Sequence, residues 1–227
     1  MSYCRAPRFS ESAYYPAASP YVTSVGGTQL IRGDSHCRYI PEEPNICLQE
    51  IAAYRSLLTG CRVTSGGGFS SFSEMPKYQR KTVQQYFKRS KVLPPTSYYN
   101  QSNRAYPDIS LLAHNYIVKL NENVEIPIDG TSASSPTIAG LFSLINNRRL
   151  QNGLKLLGFL NPLLYKLAIK YPDVFYDITK ADNKCTASPT CCQYGFLTAK
   201  GFDPVTGLGS INHRRLIKIL TDKNLKL

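Results

Sequence analysis

The sequence predicts an α/β fold with a mainly parallel sheet, because extended apolar segments alternate along it with segments of helical periodicity. Its 227 residues, 42% hydrophobic and 19% charged with 16 Tyr and 9 Phe, suffice for one domain with a sizeable core. No run of about eighteen apolar residues is present, and the longest apolar stretch, around 138–144, is broken by Gly140 and Ser143, so no membrane span is expected.

Residues 21–30, YVTSVGGTQL, set β-branched side chains ahead of a glycine pair and read as a buried strand entering a turn. Residues 31–65 hold three cysteines, two prolines and mixed charge; they read as a surface excursion clipped by disulfides, with a helix near 48–58. SGGGFSSF follows as a flexible glycine turn. In KYQRKTVQQYFKRSK, residues 77–91, Tyr78, Val83, Tyr86 and Phe87 recur at helical spacing, and Pro94 and Pro95 end the element. IVKL and VEIPI, separated by NEN, read as a hairpin. DGTSASSPTIAGLFSLINNRRL is a turn running into an apolar helix with a basic end, and Asn161 (before Pro162) and Asn212 are expected to cap two further helices.

The balance of 27 basic against 15 acidic residues gives a net charge of +12, which suits an anionic partner. Half of it falls on 77–91, where no aromatic stacking platform or recognition helix accompanies the six Lys and Arg, so the basic residues read as the solvated face of a surface helix. The seven cysteines, Cys4, Cys37, Cys47, Cys61, Cys185, Cys191 and Cys192, include no CxxC pair; disulfides are favoured over zinc. An odd count leaves one sulfur without an internal partner, and the adjacent Cys191 and Cys192 should reach different partners. Asn100-Gln101-Ser102 is an N-glycosylation sequon, which the cysteines make more meaningful by pointing to the secretory pathway. The first twenty residues, MSYCRAPRFSESAYYPAASP, nevertheless contain no apolar signal segment.

The chemistry-bearing motif is GTSASSP, Gly130 to Pro136. It follows an extended segment and opens a helix, which places Ser132 where unpaired amides and the helix dipole favour developing negative charge. Gly130 permits close approach to the backbone, the small residues after Ser132 allow tight packing, and Pro136 falls in the first turn, where a missing donor costs little. The competing reading is a Ser/Thr-rich cap ahead of a core helix. A histidine-based serine peptidase would need a suitably placed base, and none of His36, His114 and His213 lies in an HGT-type segment.

The blocks YPAASPYVTSVGGTQL, SGGGFSSF, YYNQSNRAYPDIS, GTSASSP, LGFLNPLLY, YDIT and GFDPVTGLGSIN occur in the order found in the sedolisins, the serine-carboxyl peptidases, and the chain resembles that family over nearly its whole length. The resemblance implies a subtilisin-like parallel sheet flanked by helices, present only as its C-terminal portion, with 1–227 forming a partial peptidase domain, 31–65 a cysteine-containing loop insertion and 177–209 calcium-binding loops. It implies a Ser-Glu-Asp triad and an oxyanion-stabilising Asp. Such a triad suits acid pH: an imidazole of ordinary pKa about 6.5 is protonated near pH 4.5, whereas a Glu of about 4.3 is partly ionised and still accepts a proton. Ser132 matches the nucleophile. The Glu and both Asp positions map upstream of Met1, so the 227 residues on their own are expected to be inactive and poorly soluble.

By the same resemblance one Ca2+ is held by the carboxylates of Asp177 and Asp203 and the carbonyls of Ile178, Ala199 and Gly201, with Gly207 and Gly209 as supporting turn glycines; as isolated residues the two aspartates would read as turn formers. The resemblance also ties Cys4 to the C-terminal cysteine loop that contains Cys185, through Cys191 or Cys192. The implied activity is release of tripeptides from unblocked N-termini of peptides and proteins in a lysosomal or secretory compartment, with no nucleic-acid or membrane partner. The alternatives are a catalytically inactive homologue or truncated isoform that retains calcium and acts by binding, and an anion-binding module driven by charge.

Overall fold

The computed structural model describes residues 15–33, 38–40, 43–185 and 191–223. Strands β1 (Val25–Arg32), β2 (Arg38–Ile40), β3 (Glu43–Ala52) and β4 (Gly68–Glu74) precede helix α1 (Lys77–Arg89). Strands β5 (Asn103–Tyr106), β6 (Ile109–Leu112), β7 (Tyr116–Asn121) and β8 (Val124–Ile128) lead into α2 (Thr131–Gln151). Helix α3 (Asn161–Lys170), the two-residue strands β9 (Phe175–Tyr176) and β10 (Ser210–Ile211), and α4 (His213–Leu220) complete the order.

A six-stranded sheet runs β2-β3-β1-β6-β10-β9. Its centre is parallel: β1 pairs with β6 from Val25↔Ile109 to Thr28↔Leu112, and β10 joins β6 through Ser210↔Ser110. β3 and β9 close it with antiparallel pairing. The expected α/β class with helices against a sheet therefore holds, with the parallel part confined to three strands. Helix α2 packs on β1 and β6, α1 on α3, and α4 on α2. The core between them contains Val83, Tyr86, Ile109, Ile138, Phe142, Leu164, Val174 and Leu216, each 4% exposed or less.

Three local expectations give way to tertiary structure. The helix expected near 48–58 is instead the end of β3, whose residues Leu48 to Ala52 pair with Arg32 to Thr28. Thr28 Oγ1 donates to Glu50 Oε1 across that pair at 2.6 Å, a cross-strand bond that no local propensity reports. Residues 43–52 are thus part of the sheet, not a surface excursion. Gly26 and Gly27 do not turn the chain but lie inside β1, where a Cβ on Gly26 would sit 2.5 Å from Ser110 Oγ and 2.8 Å from Ser65 Oγ. SGGGFSSF likewise enters strand β4 at Gly68, with Gly67 pressed so closely on the Pro204 carbonyl that no side chain fits.

The more local expectations stand. Helix α1 buries Val83 and Tyr86 and leaves Lys77, Arg80, Lys81, Lys88 and Arg89 in solvent, as does Lys91 beyond its end, which is the solvated face anticipated for the basic segment. The IVKL and VEIPI segments form the β7–β8 hairpin. Asn212 caps α4 by accepting from the Arg215 N–H. Asn161 differs: it is the first residue of α3, and its buried side chain accepts from Thr23 Oγ1 and donates to the Val22 carbonyl instead of capping the helix. No helix among the described residues is long and apolar enough to cross a membrane.

Gly207 closes the turn that leads into β10. Its φ is +64°, and a Cβ there would meet Asp108 C at 2.3 Å and Ile109 N at 2.7 Å. Gly153 has a similar φ of +73° with nothing within 4 Å. Gly207→Ala is expected to destabilise by more than about 2 kcal/mol, because backbone must move, and Gly153→Ala by only about 1 kcal/mol from the left-handed conformation itself. Urea unfolding of the two variants checks the difference.

Candidate active site

Ser132 is the second residue of α2 and is exposed. The turn delivering it is fixed by Gly130, whose φ of +148° favours glycine and whose N–H donates to the Ala113 carbonyl at 2.7 Å. Two residues beyond, buried Ser134 donates from Oγ to the Leu112 carbonyl at 2.8 Å, pinning the first turn of the helix to the end of β6. The hydroxyl of Ser132 therefore stands at the positive end of a 21-residue helix, at the carboxyl end of the parallel strands. It makes no hydrogen bond to a carboxylate or imidazole among the described residues, so the arrangement supplies a nucleophile and amide dipoles but no proton acceptor.

A cleft of about 370 Å³ adjoins this helix start, lined by Thr131, the glycine run 66–68, and the aromatic rings of Phe69, Tyr98, Tyr99, Tyr106 and Phe196. Glycine backbone on one side and aromatic faces on the other suit an extended peptide with an apolar side chain. The rings are supported from behind: Phe69 stacks on Phe87 at 5.5 Å and tilts against Tyr99 at 5.0 Å.

Of the expected calcium ligands, each aspartate accepts from the main chain of the 199–201 segment. Both oxygens of Asp177 lie 3.0 Å from the Gly201 N–H. Asp203 is fully buried; its Oδ1 accepts from the N–H groups of Val205 and Thr206 and from Thr206 Oγ1, and its Oδ2 from the Ala199 N–H. Burial pushes Asp203 up to about 7 against these donors, and burial also raises Asp177, opposed by the Gly201 N–H and by the charges of Lys200 and Arg89. Among the described residues Asp203 has no ion-pair partner, and the carbonyls of Ile178, Ala199 and Gly201 accept no hydrogen bond. Carboxylates and carbonyls are hard oxygen donors of the kind a cation such as calcium takes, and a buried carboxylate without an ion-pair partner is compatible with one. A second cleft, of about 350 Å³, reaches this region past Arg89, Asp177, Lys200 and Gly201.

The cysteines follow the sequence reading in part. Cys191 is bonded to Cys185 and Cys192 is disulfide-bonded elsewhere, so the adjacent pair does take different partners. The bond to Cys185 removes Cys191 as the partner of Cys4; Cys4 itself, like Cys37, lies outside the described residues. Among the described residues the free cysteine is Cys61, buried at 2% exposure. Asn100 is exposed, with Oδ1 accepting from the Ser102 N–H, so the sequon forms an open surface turn.

Two clusters escaped the sequence reading. Arg104, Asp108, Tyr165 and Gln79 form a buried polar network, and Cys61, His114 and Asp129 converge next to the Ser132 turn. The i, i+4 spacing of Arg104 and Asp108 was a signal, but in extended chain it identifies no face; nothing local connects Cys61 with His114.

An exposed serine on the amino end of a helix that packs against parallel strands, beside a peptide-sized cleft, defines the class: an α/β domain that presents a serine at the carboxyl end of its parallel strands. The chain is 40% identical over 212 residues to physarolisin of Physarum polycephalum, and 41% identical over 207 residues to tripeptidyl-peptidase 1 of Rattus norvegicus. Each match takes in 91% of this chain, but only 36% and 32% of the relatives, so the chain spans about a third of their length. Among solved structures, Pseudomonas sedolisin, a serine-carboxyl proteinase complexed with two molecules of pseudo-iodotyrostatin, matches with a TM-score of 0.64 over 93% of this chain and 49% of its own, at 24% identity. No family model matches. Over the third of their length that it spans, the chain is similar to members of the sedolisin family.

Proposed function

We propose that these residues form the nucleophile-bearing portion of an acid-active serine peptidase that releases tripeptides from unblocked N-termini. The observation that carries this reading is Ser132, exposed at the start of α2 beside the aromatic cleft, within a motif block that the family shares. Ser132 attacks the scissile carbonyl; a Glu base and an oxyanion Asp, which the family supplies from segments outside these 227 residues, accept the proton and stabilise the oxyanion. The glycine edge 66–68 and the rings of Phe69 and Tyr99 hold the substrate chain against that attack. The resemblance places such an enzyme in a lysosomal or secretory compartment, consistent with the disulfide at Cys185–Cys191 and the open sequon at Asn100. A tripeptide substrate with a free amino terminus, assayed at about pH 4.5 against the same peptide acetylated, tests the specificity. Equal cleavage of both would indicate an endopeptidase. That no base is bonded to Ser132 among the described residues favours a second reading for the isolated chain, an inactive homologue that binds without cleaving.

One Ca2+ belongs to this proposal, held by Asp177 and Asp203 with the carbonyls of Ile178, Ala199 and Gly201. When bound it would neutralise the buried carboxylates and fix the loop ahead of β10. Millimolar Ca2+ is expected to raise the Tm of the complete enzyme by several degrees, EGTA to reverse this, and Asp177→Asn to abolish the response. An unchanged melting curve with EGTA would remove the site.

A further inference from the structure

A carboxylate three residues ahead of Ser132 is gripped from three directions. Asp129 Oδ2 accepts from the Arg62 N–H at 2.7 Å, while Oδ1 accepts from the Asn115 N–H at 2.9 Å and lies 2.7 Å from His114 Nδ1. The other ring nitrogen, Nε2, is 3.0 Å from the Thr59 carbonyl. A carbonyl only accepts, so Nε2 carries a hydrogen. Burial opposes ionisation of Asp129, but the N–H groups of Asn115 and Arg62, with His114, together hold its carboxyl below the ordinary value. An ionised carboxylate has no hydrogen to give, so Nδ1 carries one as well, and only the imidazolium satisfies both contacts.

Cys61 is the third titratable group of the cluster; Asp129 and Cys61 are the ionisable side chains that face His114 among the described residues. Arg62, Asn115 and Thr59 contribute main-chain atoms only. Burial pushes the Cys61 thiol up, the Asp129 charge adds to this, and Sγ donates to the Val63 carbonyl at 3.3 Å. The three donors lie within 4.8 Å of one another, as metal ligands would, yet hydrogens alone satisfy every polar atom of the cluster.

The location gives this ion pair its meaning. His114 follows Ala113, the residue that accepts the Gly130 N–H, and Asp129 precedes Gly130, whose carbonyl accepts from the Ala133 N–H. The pair thereby ties the start of α2 to the end of β6 and to the 59–62 loop.

We propose that His114 is a positioning residue for the Ser132 nucleophile: with a hydrogen on each ring nitrogen it bridges the Thr59 carbonyl and Asp129, and through Asp129 it fixes the Gly130–Ser132 turn. The proposal rests on Ser132 being the nucleophile. Asp129, lowered in the fold, contributes stability above the ordinary carboxylate pKa and loses it as pH falls through its own, so the tie holds down into mild acid.

Hydrogen exchange at matched pH, in the chain or in the complete enzyme carrying it, tests this. At about pH 5 the Gly130 and Ala133 amides are expected to exchange about tenfold faster in His114→Gln than in the unaltered chain, while amides of the sheet away from this turn stay within about twofold. Asp129→Asn, which keeps the shape and removes the charge, should behave alike, and is the fallback if His114→Gln fails to fold. Nitrogen NMR of the imidazole should show both ring nitrogens protonated at pH 5. Equal exchange at pH 5, or a single protonated nitrogen, would overturn the proposal. So would Zn2+ protection lost in Cys61→Ser, which would make the cluster a metal site. If Ser132 is not the nucleophile, peptidase activity fails while the exchange and ring-protonation results persist, so the two failures are distinguishable.

Discussion

The 227-residue chain expressed alone is expected to hydrolyse no peptide, whereas the complete enzyme carrying it should lose about 10⁴-fold or more of its kcat on Ser132→Ala. The first half follows from proton transfer. A serine hydroxyl attacks at a useful rate only as its proton leaves, and no carboxylate or imidazole bonds to Ser132 among the described residues. His114 is the nearest temptation, but its two ring nitrogens are engaged by Asp129 and the Thr59 carbonyl, so it has no free nitrogen to serve as base. The resemblance places the oxyanion donor outside these residues, and losing one such donor costs about 3 kcal/mol in other serine peptidases. The second half follows because a methyl group cannot form the acyl intermediate at all. Turnover of a tripeptide substrate, with enzyme concentration fixed by an antibody or tag, measures both. Ser132-dependent turnover by the 227 residues alone would require a base within them and would overturn this account.

Arg104→Ala should destabilise the fold by about 3–5 kcal/mol, the range for uncovering one member of a buried ion pair. The side chains of Arg104 and Asp108 are both 0% exposed, with Nη2 donating to Oδ2 at 2.6 Å. Arg104 also donates to the carbonyls of Ser19 and Ala105, while Asp108 accepts from the Ser24 N–H at 2.8 Å and from the Tyr165 hydroxyl at 3.1 Å. Burial drives Asp108 toward its neutral form and Arg104 holds it ionised; without Arg104 the carboxyl takes up a proton or the surroundings open. The double change Arg104→Met with Asp108→Leu should cost less than Arg104→Ala alone, since no unpaired charge then remains. Urea denaturation of the three proteins decides it, and a loss under 1 kcal/mol for Arg104→Ala would show that water reaches Asp108.

What the sequence made legible was what short stretches of chain decide for themselves. The α1 face of Val83 and Tyr86, the β7–β8 hairpin around NEN, the Asn212 cap and the helix after GTSASSP are all set by neighbours within a few residues. β3 was not, because Leu48 to Ala52 are extended by pairing with β1, and alone they carry as good a helical pattern as an extended one. The glycines of β1 and β4 were misjudged as turns because the surfaces that exclude a Cβ, Ser110 and Pro204, lie 84 and 137 residues away along the chain. At the site, the motif gave Ser132 directly, while the Asp129–His114 pair and its thiol neighbour needed three separate segments to be folded before they could meet.

The parallel centre of the sheet also sets an order of assembly. Residues 25–28 wait for 109–112 before they gain a partner on that edge, and residues 109–112 wait for Ser210. During synthesis from the N-terminus, the hairpins β1–β3 and β7–β8 close early, but the strand that completes the parallel centre is among the last segments made. A nascent chain halted between the end of α2 and residue 210 therefore carries the unpaired edge of β6, with Ser132 already at its helix and the sheet behind it unfinished. Loss of residues 210 onward would strand the molecule at that stage, so the serine's setting depends on a strand made long after it.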